Sequence, residues 1–164
     1  MPISPWTNSP IILYHGTTSR FVPSLMAGIL VRLGRSRTDF GTGFYTTTSL
    51  RQAREWAEAK SGGANDLTRI IRFEVDRDAL ASLEGLWFVR ADSRATDYWT
   101  LVRHCRSGLS NRPNHNSLWY DVVAGPVARI WYGTTAVVLD SDQISFHTQV
   151  GELLLNESNP EVVQ

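Results

Sequence analysis

Three short runs hold the residue types from which a pocket for a flat ring can be built. Tyr14-His15-Gly16-Thr17 closes an apolar stretch, and Asp39-Phe40-Gly41-Thr42-Gly43-Phe44-Tyr45-Thr46-Thr47 sets two aromatics behind bracketing glycines. Gln52-Ala53-Arg54-Glu55-Trp56-Ala57 then presents an indole eleven positions after Tyr45. A histidine at the end of a strand, glycines that let backbone approach a ligand, and two large rings make an aromatic-walled pocket with hydrogen-bonding groups at its rim. Other chemistries lack their residues. No two histidines stand at metal-ligand spacing, and no Gly-x-Ser-x-Gly marks a nucleophile elbow. Cys105 lies on an apolar helical stripe, and His104 beside it faces another direction, so a thiol catalyst is rejected.

The elements that must position these residues follow from periodicity. Ile11 to His15 reads as a buried strand, Phe44 to Thr47 as a strand with Phe44 and Tyr45 on opposite faces, and Thr68 to Val75 as an alternating strand. Ser49 and Gln52 form a capping-box pattern ahead of the apolar face Leu50, Ala53, Trp56 and Ala57, which predicts a helix over 50–60. Helical spacing recurs over Phe21 to Ile29 and Thr96 to Arg106, with shorter turns at Asp76 to Leu83 and Val150 to Leu155. Val31 to Thr38, with Arg32, Arg35 and Arg37, reads as a surface loop. Leu86 to Val89 and Leu118 to Val123 read as strands, the second ended by Gly125-Pro126. Trp131-Tyr132 and Val137 to Leu139 read as strand pieces, and Gln143 to His147 as the last strand. The expectation is an α+β domain, mainly antiparallel, with two packed sheets and two or three helices. Its bounds are an N-terminal extension over 1–10, the domain over 11–155, and a polar, frayed tail over 156–164. Gly41-Thr42-Gly43 precedes its strand, which excludes the doubly wound dinucleotide fold.

Composition narrows the class further. The chain has 164 residues, one cysteine, and sixteen basic against sixteen acidic residues, so no disulfide and no global field for nucleic acid is available. Only Lys60 among the basic residues is a lysine. No apolar run approaches a membrane span and the N-terminus lacks a secretory signal, so cytoplasmic synthesis is expected, with any export by a signal-independent route.

Taken together, the runs resemble the first signature elements of the ADP-ribosyltransferase superfamily, in the His-Tyr-Glu branch of diphtheria toxin and the poly(ADP-ribose) polymerases. With Tyr120 to Val127 and Gln143 to Thr148, they are similar to small bacterial toxin-type domains of that superfamily, some encoded beside antitoxins. The resemblance implies NAD as substrate, held by His15, Gly16, Thr17, Gly43, Tyr45 and Trp56, with His15 on the adenosine ribose and the Gly16 backbone on the nicotinamide amide. Tyr45 and Trp56 would sandwich the nicotinamide ring. The catalytic set implied is His15, Tyr45 and, where the family has glutamate, Gln143. An amide cannot ionise, so single transfer to a protein or nucleic-acid acceptor is expected rather than chain elongation, and Gln143→Glu is expected to raise glycosidic cleavage. The alternatives are an NAD glycohydrolase and a weakly catalytic NAD- or ADP-ribose-binding module; a neutralising antitoxin or immunity protein is a possible partner. Taken singly, His15 reads as a strand-end histidine satisfied by a carbonyl, Tyr45 and Trp56 as core aromatics, and His147 as a group facing either the cleft or water. Only the joint pattern points to a site.

Overall fold

The computed structural model describes residues 8–63, 65–89, 92–115, 117–132 and 137–163, with the side chains of Val137 and Val138 outside the description. Most of the proposed N-terminal extension, residues 1–7, also lies outside it. Strands β1 (Ile11–Thr18), β3 (Thr68–Val75) and β7 (Glu161–Val162) form one antiparallel sheet in the order β1-β3-β7. Strands β2 (Phe44–Thr46), β6 (Val137–Phe146), β5 (Val122–Ile130) and β4 (Gly85–Trp87) form a second sheet in that order, in which only β4 and β5 run parallel. Five α-helices are described rather than two or three: α1 (Val22–Ala27), α2 (Leu50–Lys60), α3 (Arg77–Ser82), α4 (Thr96–Arg106) and α5 (Gln149–Glu157). The domain is α+β, and among the described residues no helix is long and apolar enough to cross a membrane.

Strand alternation divides the core in two. Phe44, Val122, Ala124, Ile144 and Phe146 point from the second sheet toward Leu13, Ile71, Phe73 and Val75 of the first, and Leu155 of α5 closes the cluster. On the opposite face Val123 and Ala128 meet Phe40 and the α4 residues Tyr98, Trp99, Leu101, Val102 and Cys105. α4 is the crossover that a parallel β4–β5 pair requires.

Several expectations are corrected. Leu118 to Asp121 is not strand; β5 starts at Val122 and runs through Gly125-Pro126 to Ile130. Proline is tolerated there because the register shifts between Pro126 and Ala128, and the Pro126 carbonyl is used by Tyr98 Oη at 2.8 Å. Trp131-Tyr132 lies beyond the strand. Val31 is buried in a single 3-10 turn rather than on a surface loop. The tail does not fray: β7 adds to β3, and the Val163 N–H donates to the Ile70 carbonyl at 3.0 Å.

The two sheets meet at one seam. Tyr14 of β1 and Thr47, just beyond β2, exchange both backbone hydrogen bonds at 2.8 and 2.9 Å. α2 begins immediately after this bridge and lies on β1 and β3. Its approach depends on Gly16, where a Cβ would fall 1.9 Å from the Ala53 carbonyl oxygen.

Candidate functional site

At the seam, β1 continues past its bridge, so His15 and Gly16 lie beside β2 and under α2. His15 Nδ1 is 2.7 Å from the Tyr45 carbonyl oxygen, an acceptor only, so Nδ1 carries the proton and Nε2 keeps its lone pair. Its ring stacks on Phe44 at 4.3 Å. Burial, then the nearby Lys60 ammonium, lowers the His15 pKa from 6.5 to about 3 against the opposing pull of the Tyr45 carbonyl. The imidazole is neutral at physiological pH.

Gly16 shares the strand edge that Tyr14 uses toward Thr47, because backbone groups two residues apart point the same way. Its carbonyl accepts from Lys60 Nζ at 2.6 Å. Lys60 as a whole is exposed, but its ammonium is set against the strand, where burial and then Arg35 lower its pKa to about 8. Trp56, partly buried, lies one turn before Lys60 on the same face of α2.

Tyr45 points to the opposite face of β2 from Phe44. Its hydroxyl donates to the Gly41 carbonyl at 2.8 Å, accepts from the Phe40 N–H at 3.0 Å and meets Thr38 Oγ1 at 2.7 Å. Burial pushes its pKa up, so it stays a neutral phenol. Gly43, the turn before it, cannot carry a side chain: a Cβ would lie 2.5 Å from His147 Nδ1. Thr17 is buried on β1. His147 itself is buried, neither facing water nor lining the groove described below; Nδ1 donates to the Thr42 carbonyl at 2.8 Å and Ser145 Oγ sits 2.8 Å from Nε2, with Trp119 stacked at 5.7 Å. Burial lowers its pKa to about 4.

Gln143 is 4% exposed, and its Nε2 donates to Asp39 Oδ2 at 2.7 Å and to the Pro126 carbonyl at 2.9 Å. Both partners are acceptors, so the amide orientation is fixed by chemistry. Asp39 is the hub: its Oδ2 also accepts the Ala128 N–H at 2.8 Å, and its Oδ1 accepts from Arg106 Nε at 2.9 Å and from Nη2. A glutamate at 143 would lose both donors and set a second carboxylate against Asp39, so Gln143→Glu would break the network that holds this position. Glu152 is remote, its carboxylate accepting the Val31 N–H at 2.8 Å.

A groove of about 970 Å³ opens between the first turns of α2 and strands β5 and β6. Trp56 and Gln143 line it, but His15, Gly16, Thr17, Gly43 and Tyr45 do not. The structure therefore brings His15, Gly16 and Lys60 together around the β1 edge, with Trp56 one turn before Lys60 on α2, and Trp56 and Gln143 along the groove. Tyr45 joins the first set through its backbone and the second through the sheet face it shares with Gln143.

Cys105 is buried and its pKa is raised to about 12, by burial and then by Asp39, which leaves a core thiol. No group of His, Cys, Asp or Glu among the described residues is arranged to hold a metal. Sequence reasoning missed three participants. Asp39 gave no local signal, because its arginine lies 67 positions away. Lys60 stood out only as the single lysine. Gln52 was read as half of a capping box; its N–H does donate to Ser49 Oγ at 3.2 Å, but its Nε2 turns to the Asp142 carbonyl at 2.6 Å.

A family model described as "Protein of unknown function (DUF3990)" matches residues 11–163. No curated protein matches the chain.

Two outcomes follow from this geometry. Below about pH 6.5 the unfolded chain protonates both histidines, while the folded chain resists down to about 4 at His147 and 3 at His15. Their contribution is complete above pH 6.5 and lost as pH falls, with a slope approaching about 1.4 kcal/mol per pH unit for each. Denaturant titrations between pH 7 and 4 will show that slope reduced in His147→Gln; an unchanged slope contradicts the assignment. Gln143→Glu will lower the unfolding free energy by about 2 kcal/mol or more in urea, and an unmoved midpoint contradicts the Asp39 network.

Proposed function

The chain belongs to the DUF3990 family, whose description assigns no activity, and from its own geometry we propose that it is a mono-ADP-ribosyltransferase that consumes NAD. The observation that carries this reading is the edge of β1 at Gly16. Beyond the Tyr14–Thr47 bridge this edge offers one backbone N–H and one C=O to the seam, with Trp56 and Lys60 on the helix above it. An N–H beside a C=O is the complement of a carboxamide, which carries a carbonyl acceptor and an NH₂ donor.

On this reading the nicotinamide carboxamide pairs with Gly16 and its ring stacks against Trp56, while Tyr45, whose hydroxyl is already fixed by three partners, holds the β2 backbone that receives His15. Neutral His15 presents Nε2 as an acceptor for a ribose hydroxyl. Lys60 and Arg35 supply the positive charge that a pyrophosphate needs, and Lys60 yields part of its bond to the Gly16 carbonyl as NAD enters. The C1′–N bond then breaks, the electron pair leaves with neutral nicotinamide, and an acceptor nucleophile adds at C1′ and releases its proton. Cation–π and stacking contacts to a pyridinium are worth on the order of 1–2 kcal/mol per ring when desolvated. They hold the ring still while the ribose becomes an oxocarbenium ion.

One observation favours a second reading. The Gln143 amide is spoken for by Asp39 and Pro126 and brings no charge to the developing cation, which suits a weak catalyst or a module that binds NAD without turnover. A toxin or effector role, a neutralising partner and an ADP-ribosyltransferase fold are supported by the sequence resemblance.

Incubation of the purified chain with NAD tests the proposal. Wild type will release nicotinamide, and His15→Ala and Trp56→Ala will each slow release roughly tenfold or more. With NAD labelled in the adenosine half, a labelled macromolecule in lysate marks the transferase, whereas free ADP-ribose alone marks a glycohydrolase. Saturable binding without release selects the module, and neither binding nor release refutes an NAD site.

A further inference from the structure

The groove on the far side of Trp56 differs in charge from the β1 edge. Lys60 stands at that edge with Arg35 near it, but the groove is lined by Asp140, Asp142 and Glu55, and its one cation among the described residues, Arg51, is already paired with Glu55 at 3.3 Å. Asp142 points its carboxylate at Thr47 and Thr48: Oδ1 accepts from Thr47 Oγ1 and from the Thr48 N–H at 3.0 Å, and among the described residues Oδ2 accepts from Thr48 Oγ1 alone. An oxygen with one donor has room for another.

Two buried atoms of lining residues have no partner among the described residues. Gln52 is 5% exposed, and because its Nε2 is committed to the Asp142 carbonyl, its Oε1 is left as an acceptor without a donor. Ser141 Oγ, also buried, is likewise unpartnered. Both residues line the groove. A buried acceptor without a donor is costly to the fold, and the Ser141 hydroxyl can accept as well as donate, so with the neighbouring carboxylates these atoms favour a ligand that brings N–H donors and positive charge. Trp56 and Phe88 add aromatic surface to the groove lining. A guanidinium, planar, permanently charged and carrying five donors, satisfies both the acceptor set and the rings better than an ammonium does.

We propose that this groove is a binding site for an arginine side chain of a partner polypeptide. A phosphate backbone would meet carboxylates there, so the site selects protein over nucleic acid. The site stands whether or not the chain turns over NAD; if it does, the arginine-bearing segment is the acceptor.

The test is a titration, without NAD, of the ¹⁵N-labelled chain with a glycine-serine peptide bearing one central arginine, followed through amide shifts. The arginine peptide will move the Gln52 side-chain amide and the Ser141 and Asp142 backbone amides in a saturable way. The lysine counterpart will bind at least about threefold more weakly, the citrulline counterpart will leave these amides in place, and Asp140→Asn will weaken the arginine peptide by about threefold. Equal shifts with citrulline, shifts centred elsewhere, no shift up to about 10 mM peptide, or saturable binding of an oligothymidylate in the groove would each overturn the proposal. Because NAD is absent, a failure here is separate from a failure of the NAD reading.

Discussion

A carboxylate with 3% of its surface exposed holds this domain's site in place. Asp39 receives the Arg106 guanidinium from α4, the Ala128 N–H from β5 and the Gln143 amide from β6. Arg106 is itself capped by the Trp131 ring, 3.8 Å from its guanidinium carbon. Breaking such a buried pair by removing one partner typically costs about 3–5 kcal/mol, because the other charge is left desolvated. The network pins the loop from Thr38 to Gly43 onto the second sheet, and that loop in turn fixes the Tyr45 hydroxyl. Position of the tyrosine and neutrality of residue 143 are thus two results of one buried charge.

The seam between the sheets is the second constraint. Among the described residues a single isolated bridge, Tyr14 to Thr47, joins them, and the Cβ-free surface of Gly16 lets α2 rest on β1, from which Lys60 reaches the Gly16 carbonyl. Electrostatics then separates two neighbouring places: a cationic rim near Gly16 and an acceptor-lined groove beyond Trp56.

Legibility from sequence followed the range of the interactions. α2 and α4 were readable to the residue because helical spacing, the Ser49 cap and flanking loop composition are local signals. β3 was readable for the same reason. β5 was misplaced because proline and glycine ordinarily end strands, whereas here a bulge and the partners of the Pro126 carbonyl accommodate them. The candidate site was legible only as a set of residues in order. His15, Gly16, Tyr45 and Trp56 stood out through order and spacing, but the engagement of Gln143 by Asp39 spans 104 positions and left no trace in any window. The unpartnered side-chain oxygens of Gln52 and Ser141 are defined by what they fail to meet among the described residues, which only a folded chain shows.

The most direct measurement is a nicotinamide titration of the ¹⁵N-labelled chain, following the Gly16 backbone amide and the Trp56 indole. If the β1 edge receives the carboxamide, both signals move together and saturate, and Trp56→Ala abolishes the Gly16 shift. Saturating nicotinamide that leaves Gly16 unmoved would contradict the account.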